Sequence, residues 1–101
     1  MVSSFNYHMP ATQFKVMKHA TVHKQGKLCF SKTQLPECAS GLTTSETENM
    51  IADFVCLPSK ATATKVMARK VEAMEMVAAL STYPTTFSAM VPMAVQCTGQ
   101  L

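Results

Sequence analysis

The sequence predicts a small α+β domain in which one helix packs on an antiparallel sheet and disulfides cross-link the strands. Four extended stretches and one helical stretch follow one another in the order β, β, β, α, β. Four cysteines are spread over residues 29–97, and 48% of the 101 residues are hydrophobic against 15% charged. A chain of this length fits one globular domain with a small core, which cross-links would help to stabilise.

The first two strands are expected to form a hairpin that follows a lead-in. Residues 1–12 are interpreted as a linker, and residues 13–101 as a single module. From Gln13 apolar residues fall on even positions as far as Val22, and they resume at Leu28 and Phe30. This alternation indicates strands with one buried face.

The loop of the hairpin is predicted from the phase of its apolar residues. A two-residue turn at 25–26 would place Val22 opposite Cys29 and mix polar with apolar side chains on each face. A three-residue loop, 24–26, pairs Val22 with Leu28, and Gly26 supplies the left-handed residue that such loops need. We therefore predict the three-residue loop, with Cys29 on the face opposite to Leu28.

The remaining elements follow from turn residues and periodicity. Residues 34–48 are predicted to be turn and loop, and a third strand is expected at about 49–57. A helix with Ser59 as its N-cap is predicted over 60–80. Its apolar stripe comprises Ala63, Val66, Met67, Val71, Met74, Ala78 and Leu80. The last strand carries apolar residues at every odd position from 87 to 97, and Pro92 predicts that it is an edge strand or contains a bulge.

The cysteines are interpreted as two disulfides rather than a metal site. Structural zinc sites take ligands in close pairs, whereas the gaps here are eight, seventeen and forty intervening residues. Folding strand two onto strand three opposes residues whose numbers sum to roughly 85, which favours Cys29–Cys56 and leaves Cys38–Cys97. Three connectivities are possible for four cysteines. No metal, cofactor or enzymatic activity is expected, because no phosphate loop, nucleophile elbow or zinc-binding helix motif occurs.

The distribution of charged residues along the sequence bears on the binding partners of the chain. The net charge of +3 does not indicate a nucleic-acid partner, but five lysines precede the first acidic residue, Glu37. Four of them, Lys15, Lys18, Lys24 and Lys27, are candidates to hold a polyanion or a receptor, the alternative being a solvated polar face.

No apolar run is long enough to cross a membrane. The amino end lacks a secretion signal, so a disulfide-bonded chain is expected to derive from a longer precursor, whereas a cytosolic protein would keep four free thiols.

Several short motifs occur in a characteristic order. They are Cys-Phe-Ser (29–31), Leu-Pro-Glu-Cys (35–38), Phe-Val-Cys-Leu-Pro (54–58), an Ala/Arg/Lys-rich helix (61–70), Tyr-Pro-Thr-x-Phe (83–87) and Val-Pro-x-x-Val-x-Cys (91–97). Together they resemble the cysteine-bearing C-terminal stretch of vitellogenin-like large lipid-transfer proteins, at or beyond their von Willebrand type D domain.

The resemblance covers about residues 15–97 and implies an extracellular yolk or lipid-carrier precursor. It implies a non-catalytic role in folding, stability or assembly, with other domains of the parent chain as partners. Only Cys29, Cys38, Cys56 and Cys97 carry over, as disulfide partners. The Cys-Gly-Leu-Cys type signature of the von Willebrand D core and the lipid-cavity region are absent from this sequence, so neither calcium binding nor lipid carriage is expected of these residues.

Overall fold

The fold comes from a computed structural model that describes residues 15–99. The elements are β1 (Lys15–Lys24), β2 (Lys27–Cys38), β3 (Leu42–Pro58), helix α1 (Thr62–Glu72), a 3₁₀ helix (Ala78–Thr82) and β4 (Phe87–Gly99). The strands form one antiparallel sheet in the order β1-β2-β3-β4. The predicted α+β class and the order β-β-β-α-β are therefore confirmed. The predicted linker at 1–12 lies outside the described residues.

The β1–β2 hairpin closes through a two-residue turn, so the prediction of a three-residue loop is wrong. Gln25 and Gly26 both have positive φ, 44° and 77°, as a type I′ turn requires. Lys24 pairs with Lys27, and Val22 pairs with Cys29. Val22 can pair with Cys29 because both faces of this sheet are covered, whereas the prediction assumed a single buried face.

Two apolar clusters lie on opposite faces of the sheet. One joins β2 and β3 to the helical layer, and it contains Leu28, Phe30, Val55, Met67, Val71, Val77 and Leu80. The other contains Cys29, Leu35, Ala52 and Phe54, with half-buried residues of β1 and β4 packed against it. Cys29 thus lies on the face opposite to Leu28 and Phe30, as predicted. The rings of Phe54 and Phe87 stack in this second cluster with centroids 4.9 Å apart.

Strand β2 leaves β3 halfway along its length. Pairing between them runs only from Lys27 to Ser31, while a bulge in the β1–β2 ladder places one residue of β1, Ala20, against three residues of β2. Beyond the bulge the hairpin approaches β4, since Leu35 and Val91 belong to the same apolar cluster. The half of the hairpin beyond the bulge, residues 15–19 and 34–38, consequently packs against β4 instead of extending a flat sheet.

Strand β3 is longer than the sequence predicts. It begins at Leu42 rather than near residue 49, and most of the predicted loop, 34–48, is strand. The connection is a short turn in which Leu42 N–H donates to Ala39 O at 3.1 Å. Residues 43–51 are exposed on both faces, which removes the alternation that reveals a half-buried strand.

Strand β4 agrees with its prediction. Odd positions from 87 to 97 are at least half-buried, and β4 lies at the edge of the sheet, where Pro92 costs no ladder hydrogen bond to a further strand. Ala94 is buried in addition, close to the register shift at Glu46 and Thr47.

The helical segment is shorter than predicted. Helix α1 begins after Ala61, without a side-chain cap, and its regular part ends at Glu72 instead of continuing to residue 80. Met74 adopts φ 61°, Met74 N–H donates to Val71 O and Glu75 N–H donates to Lys70 O. This is the hydrogen-bond pattern of a Schellman motif, with Met74 where glycine is usual.

The buried stripe of the helical layer is only partly as predicted. Met67, Val71 and Leu80 are buried, as expected. Ala63, Val66, Met74 and Ala78 are exposed, and Thr64 and Val77 are buried in their place. The helix ends before residue 74, so the periodicity that connected Met74 and Ala78 to the stripe no longer applies.

Candidate functional site

The first disulfide joins two strands at the centre of the sheet. Cys29 and Cys56 are bonded and are also direct ladder partners of β2 and β3. The Cys29 side chain is fully buried in the second apolar cluster. Because Leu28 and Phe30 pair with β3 on either side of it, this bridge reinforces contacts that the ladder already makes.

The second disulfide joins strands that are not neighbours. Cys38, at the end of β2, is bonded to Cys97 of β4 with their Cα atoms 5.7 Å apart, within the usual range. Cys97 is fully buried, and the Thr44 hydroxyl donates to Cys38 Sγ at 3.2 Å. This bridge therefore holds the far end of the β1–β2 hairpin against the β3–β4 ribbon, where no backbone ladder connects them.

Both bridges match the predicted connectivity, and they use every cysteine in the chain. While they are closed, no thiolate is present to bind a metal ion or to attack a substrate. Within residues 15–99 no group of three or more His, Cys, Asp or Glu side chains is placed to hold a metal ion.

His19 connects the hairpin to the helical layer. Its side chain is buried, Nδ1 lies 2.7 Å from Ser31 O, and Val77 N–H donates to Nε2 at 3.0 Å. Both hydrogen bonds form together only if Nδ1 carries the proton and Nε2 is the acceptor. The sequence does not reveal this role, because the residue that accepts from Nδ1 lies within the bulge and the donor to Nε2 is 58 residues away.

The Ser31 side chain forms hydrogen bonds with two backbone groups at the bulge. Its hydroxyl accepts a hydrogen bond from Ala20 N–H and donates to Thr33 O, both at 2.7 Å. Together with the His19 contact, these bonds give hydrogen-bond partners to Ala20 N–H, Ser31 O and Thr33 O at the bulge.

The four candidate lysines do not form one surface. Lys15 Nζ donates to Val95 O at 3.1 Å, and Lys18 Nζ lies 3.5 Å from a carboxylate oxygen of Glu72. Both ammonium groups thus contact other groups of the same chain. Both lysines belong to the half of the hairpin beyond the bulge, residues 15–19 and 34–38, which we call the bent half. Lys24 and Lys27 lie instead beside the turn, directly opposite one another on β1 and β2.

A third exposed cation, Lys60, lies near the turn and was not among the candidates. Lys27 pairs with Pro58 of β3, and Ser59 N–H donates to Gly26 O at 3.0 Å. The chain therefore reaches Lys60 directly beside the hairpin turn. We define Lys24, Lys27 and Lys60 as the basic end. Among residues 15–99 no acidic side chain forms an ion pair with any of them.

The comparisons with known proteins give no family. The sequence matches no protein-family model, and neither the curated proteins nor the solved structures provide a significant match. None of the helices within residues 15–99 has the length and apolar character to span a bilayer.

Proposed function

We propose that this chain is a non-catalytic structural module of a secreted, vitellogenin-like lipid-transport or nutrient-reservoir protein, where it contributes to folding, stability or assembly. The observation that carries the proposal is the pairing of Cys29 with Cys56 and of Cys38 with Cys97. Disulfides form and persist in oxidising compartments such as the extracellular space. A domain with a small core gains stability from such cross-links, and an oxidising compartment allows them to persist.

The motifs that carry the resemblance meet one another in the sheet. The Cys-Phe-Ser segment at 29–31 pairs along its length with residues 54–56 of Phe-Val-Cys-Leu-Pro. The cysteine of Leu-Pro-Glu-Cys is bonded to the cysteine that ends Val-Pro-x-x-Val-x-Cys. This convergence supports the interpretation of these motifs as one cross-linked unit.

Exposed apolar side chains support a place within a larger assembly. Met17, Met76 and Met90 are 49%, 67% and 65% exposed. Methionine adapts to partners of varied shape, and contacts with other domains of the parent chain would cover such residues. Their exposure therefore fits a module that is not the whole of its protein.

A thiol count tests the cross-linked state on which the proposal depends. The protein is purified from an oxidising compartment, denatured without reductant and treated with a maleimide, and its mass is measured. No added label is expected before reduction, and four labels after it. Four labels before reduction would contradict the proposal, and they would favour the alternative of an intracellular protein with free thiols.

Transcript sequencing tests the parentage separately. The proposal expects an open reading frame that continues upstream into a lipid-binding region. A complete short transcript, with its own start and no such region, would exclude the vitellogenin-like parent even if both disulfides were present.

A second candidate function is a small extracellular module that holds a polyanion or a receptor. The observation that favours it is the exposure of Lys24 and Lys27 beside the hairpin turn, without acidic partners among residues 15–99. Since Lys15 and Lys18 contact groups of their own chain, this function needs a surface other than the whole run of hairpin lysines.

A further inference from the structure

We infer that the basic end formed by Lys24, Lys27 and Lys60 binds a sulfated polysaccharide, an inference that rests on the extracellular location proposed above. The three lysines come from β1, β2 and the segment before α1. They are brought together by the two-residue turn and by the hydrogen bond from Ser59 N–H to Gly26 O. The surface is therefore a product of the fold and not of a run of basic residues in the sequence.

The cations of the basic end are available to a ligand. All three lysines are exposed. Lys24 and Lys27 are direct cross-strand partners, and like charges in that position repel each other. Lys24 Nζ lies 4.2 Å from the centroid of the Phe87 ring, a contact that orients its ammonium without neutralising it. A bound anion would relieve the repulsion and accept hydrogen bonds from these exposed ammonium groups.

Charge is distributed unevenly along the molecule, which is 54 Å long. Three of the six acidic residues, Glu37, Glu46 and Glu48, belong to the parts of β2 and β3 farthest from the turn. Glu48 precedes Pro58 by ten residues in β3, a distance of about 33 Å along an extended strand. At physiological salt, charges that far apart are screened from each other. The basic end therefore presents a local positive field although the net charge of the protein is only +3.

The same end is poorly suited to single-stranded nucleic acid. Such ligands are held by bases stacked on open aromatic rings. The aromatic ring beside the basic end, that of Phe87, is stacked against Phe54 on one side and contacted by Lys24. A sulfated polysaccharide needs no stacking platform, because its charges alone supply the attraction.

Matched charge removal on the oxidised protein tests the inference. The first variant is Lys24→Gln/Lys27→Gln. The second, Arg69→Gln/Lys70→Gln, removes the same charge from exposed positions at the end of α1, and the third, Lys15→Gln/Lys18→Gln, removes it from the bent half of the hairpin. Binding to heparin is measured by elution from a heparin column and by the salt dependence of Kd. Far-ultraviolet circular dichroism and a thiol count confirm that each variant is folded and cross-linked.

The wild type is expected to be retained on heparin at 0.15 M salt or above. By analogy with other polyanions, each bound cation displaces about one counterion, so the slope of log Kd against log salt should fall by about two in Lys24→Gln/Lys27→Gln. Lys60→Gln should lower the slope by about one. The variants at 69/70 and 15/18 should change it much less.

Three results would overturn the inference. Equal losses in all three double variants would show attraction by net charge without a local site. Tighter binding to a DNA oligonucleotide or to phosphatidylglycerol vesicles than to heparin would assign the basic end to another class of polyanion. Dimer formation at low salt that is lost in Lys24→Gln/Lys27→Gln would assign it to a second copy of the chain. None of these results alters the thiol count, so failure of this inference and failure of the proposed module remain distinguishable.

Discussion

Opening the Cys38–Cys97 bridge should release one half of the hairpin and leave the centre of the sheet intact. The change is Cys38→Ala/Cys97→Ala. Pairing between β2 and β3 stops at Ser31, so the hairpin beyond that point is held to β3 and β4 by this bridge and by side-chain contacts such as those of Leu35 in β2 and Lys15 in β1. Without the bridge, those contacts must hold the two halves together alone.

The magnitude follows from the loop that the bridge closes. Cys38 and Cys97 are 59 residues apart, and loop-closure entropy gives about 4 kcal/mol for a loop of this size. The same relation gives about 3.5 kcal/mol for Cys29–Cys56, which are 27 residues apart. Cys38 lies within the 29–56 loop, so the two closures overlap and their effects will not add. Since small domains are stable by about 5–15 kcal/mol, either variant should be weakened and still fold at low temperature.

Urea denaturation and native-state hydrogen exchange separate the two bridges. Both double variants should lose stability in urea. In Cys38→Ala/Cys97→Ala the amides of residues 15–19, 34, 35, 37 and 38 should also lose protection beyond the global loss, because that half of the hairpin opens by itself. In Cys29→Ala/Cys56→Ala the amides of 28–30 and 55–57 should keep their relative protection, because ladder pairs flank the removed bridge.

The difference in hydrogen exchange between the two double variants tests whether the Cys38–Cys97 bridge holds the hairpin to β3 and β4. If residues 34–38 of Cys38→Ala/Cys97→Ala exchange no faster than global unfolding requires, the bridge acts only on the unfolded chain. The inference that it holds two otherwise separate halves together would then be wrong. A local loss at 34–38 in the Cys29→Ala/Cys56→Ala variant would contradict it equally.

Two further substitutions test the helical layer. His19→Phe leaves Ser31 O and Val77 N–H without their partner and should cost roughly 2–4 kcal/mol of unfolding free energy. The exposed control His23→Phe should cost less than about 0.5 kcal/mol, and equal losses in the two variants would refute the bridging role of His19. ¹⁵N NMR of the wild type should find the His19 proton on Nδ1. Met74→Gly should raise the unfolding free energy by about 0.5–1 kcal/mol, since it removes a side chain from a left-handed position, and Met74→Ala should bring no such gain; a loss in the glycine variant would argue against φ 61° at this residue.

The cysteine pairing and the order of elements could be predicted, because both depend on features that sequence displays directly. Cys29 and Cys56 are opposed in any antiparallel pairing of strands two and three in which the paired residue numbers sum to about 85. This pairing is present although most of the intervening segment, 34–48, is strand and not the predicted loop. The turn itself could not be derived from one apolar phase. Val22 faces the cluster of Cys29, while Leu28 faces the helical layer, so a residue pairing that looks mixed on a one-sided sheet is satisfactory on a two-sided one.

The errors in β3 and α1 have a common physical cause, which is stabilisation from distant parts of the chain. Residues 43–51 form strand because β4 runs alongside them and pairs with each of them except Ser45, although no buried face marks them in the sequence. The helix ends at Glu72 without a glycine, while Gln34 Nε2 donates to Met74 O at 3.4 Å and His19 binds Val77 N–H. The residue types at 73–80 favour a helix, but these tertiary contacts outweigh that propensity, so the prediction of a helix as far as residue 80 is wrong.

The candidate lysines show why residue type and order predict a surface less well than they predict a strand. All four hairpin lysines looked equivalent in sequence, yet Lys15 reaches a carbonyl 80 residues away and Lys18 reaches Glu72. Strand pairing then adds Lys60, because β3 returns alongside β2 and brings the segment after Pro58 to the turn. A basic surface depends on which cations the fold leaves without internal partners, and that selection is made by contacts at long sequence separation. Binding measurements on matched variants will therefore decide whether the basic end functions as a site, since its lysines differ from the others only in their surroundings.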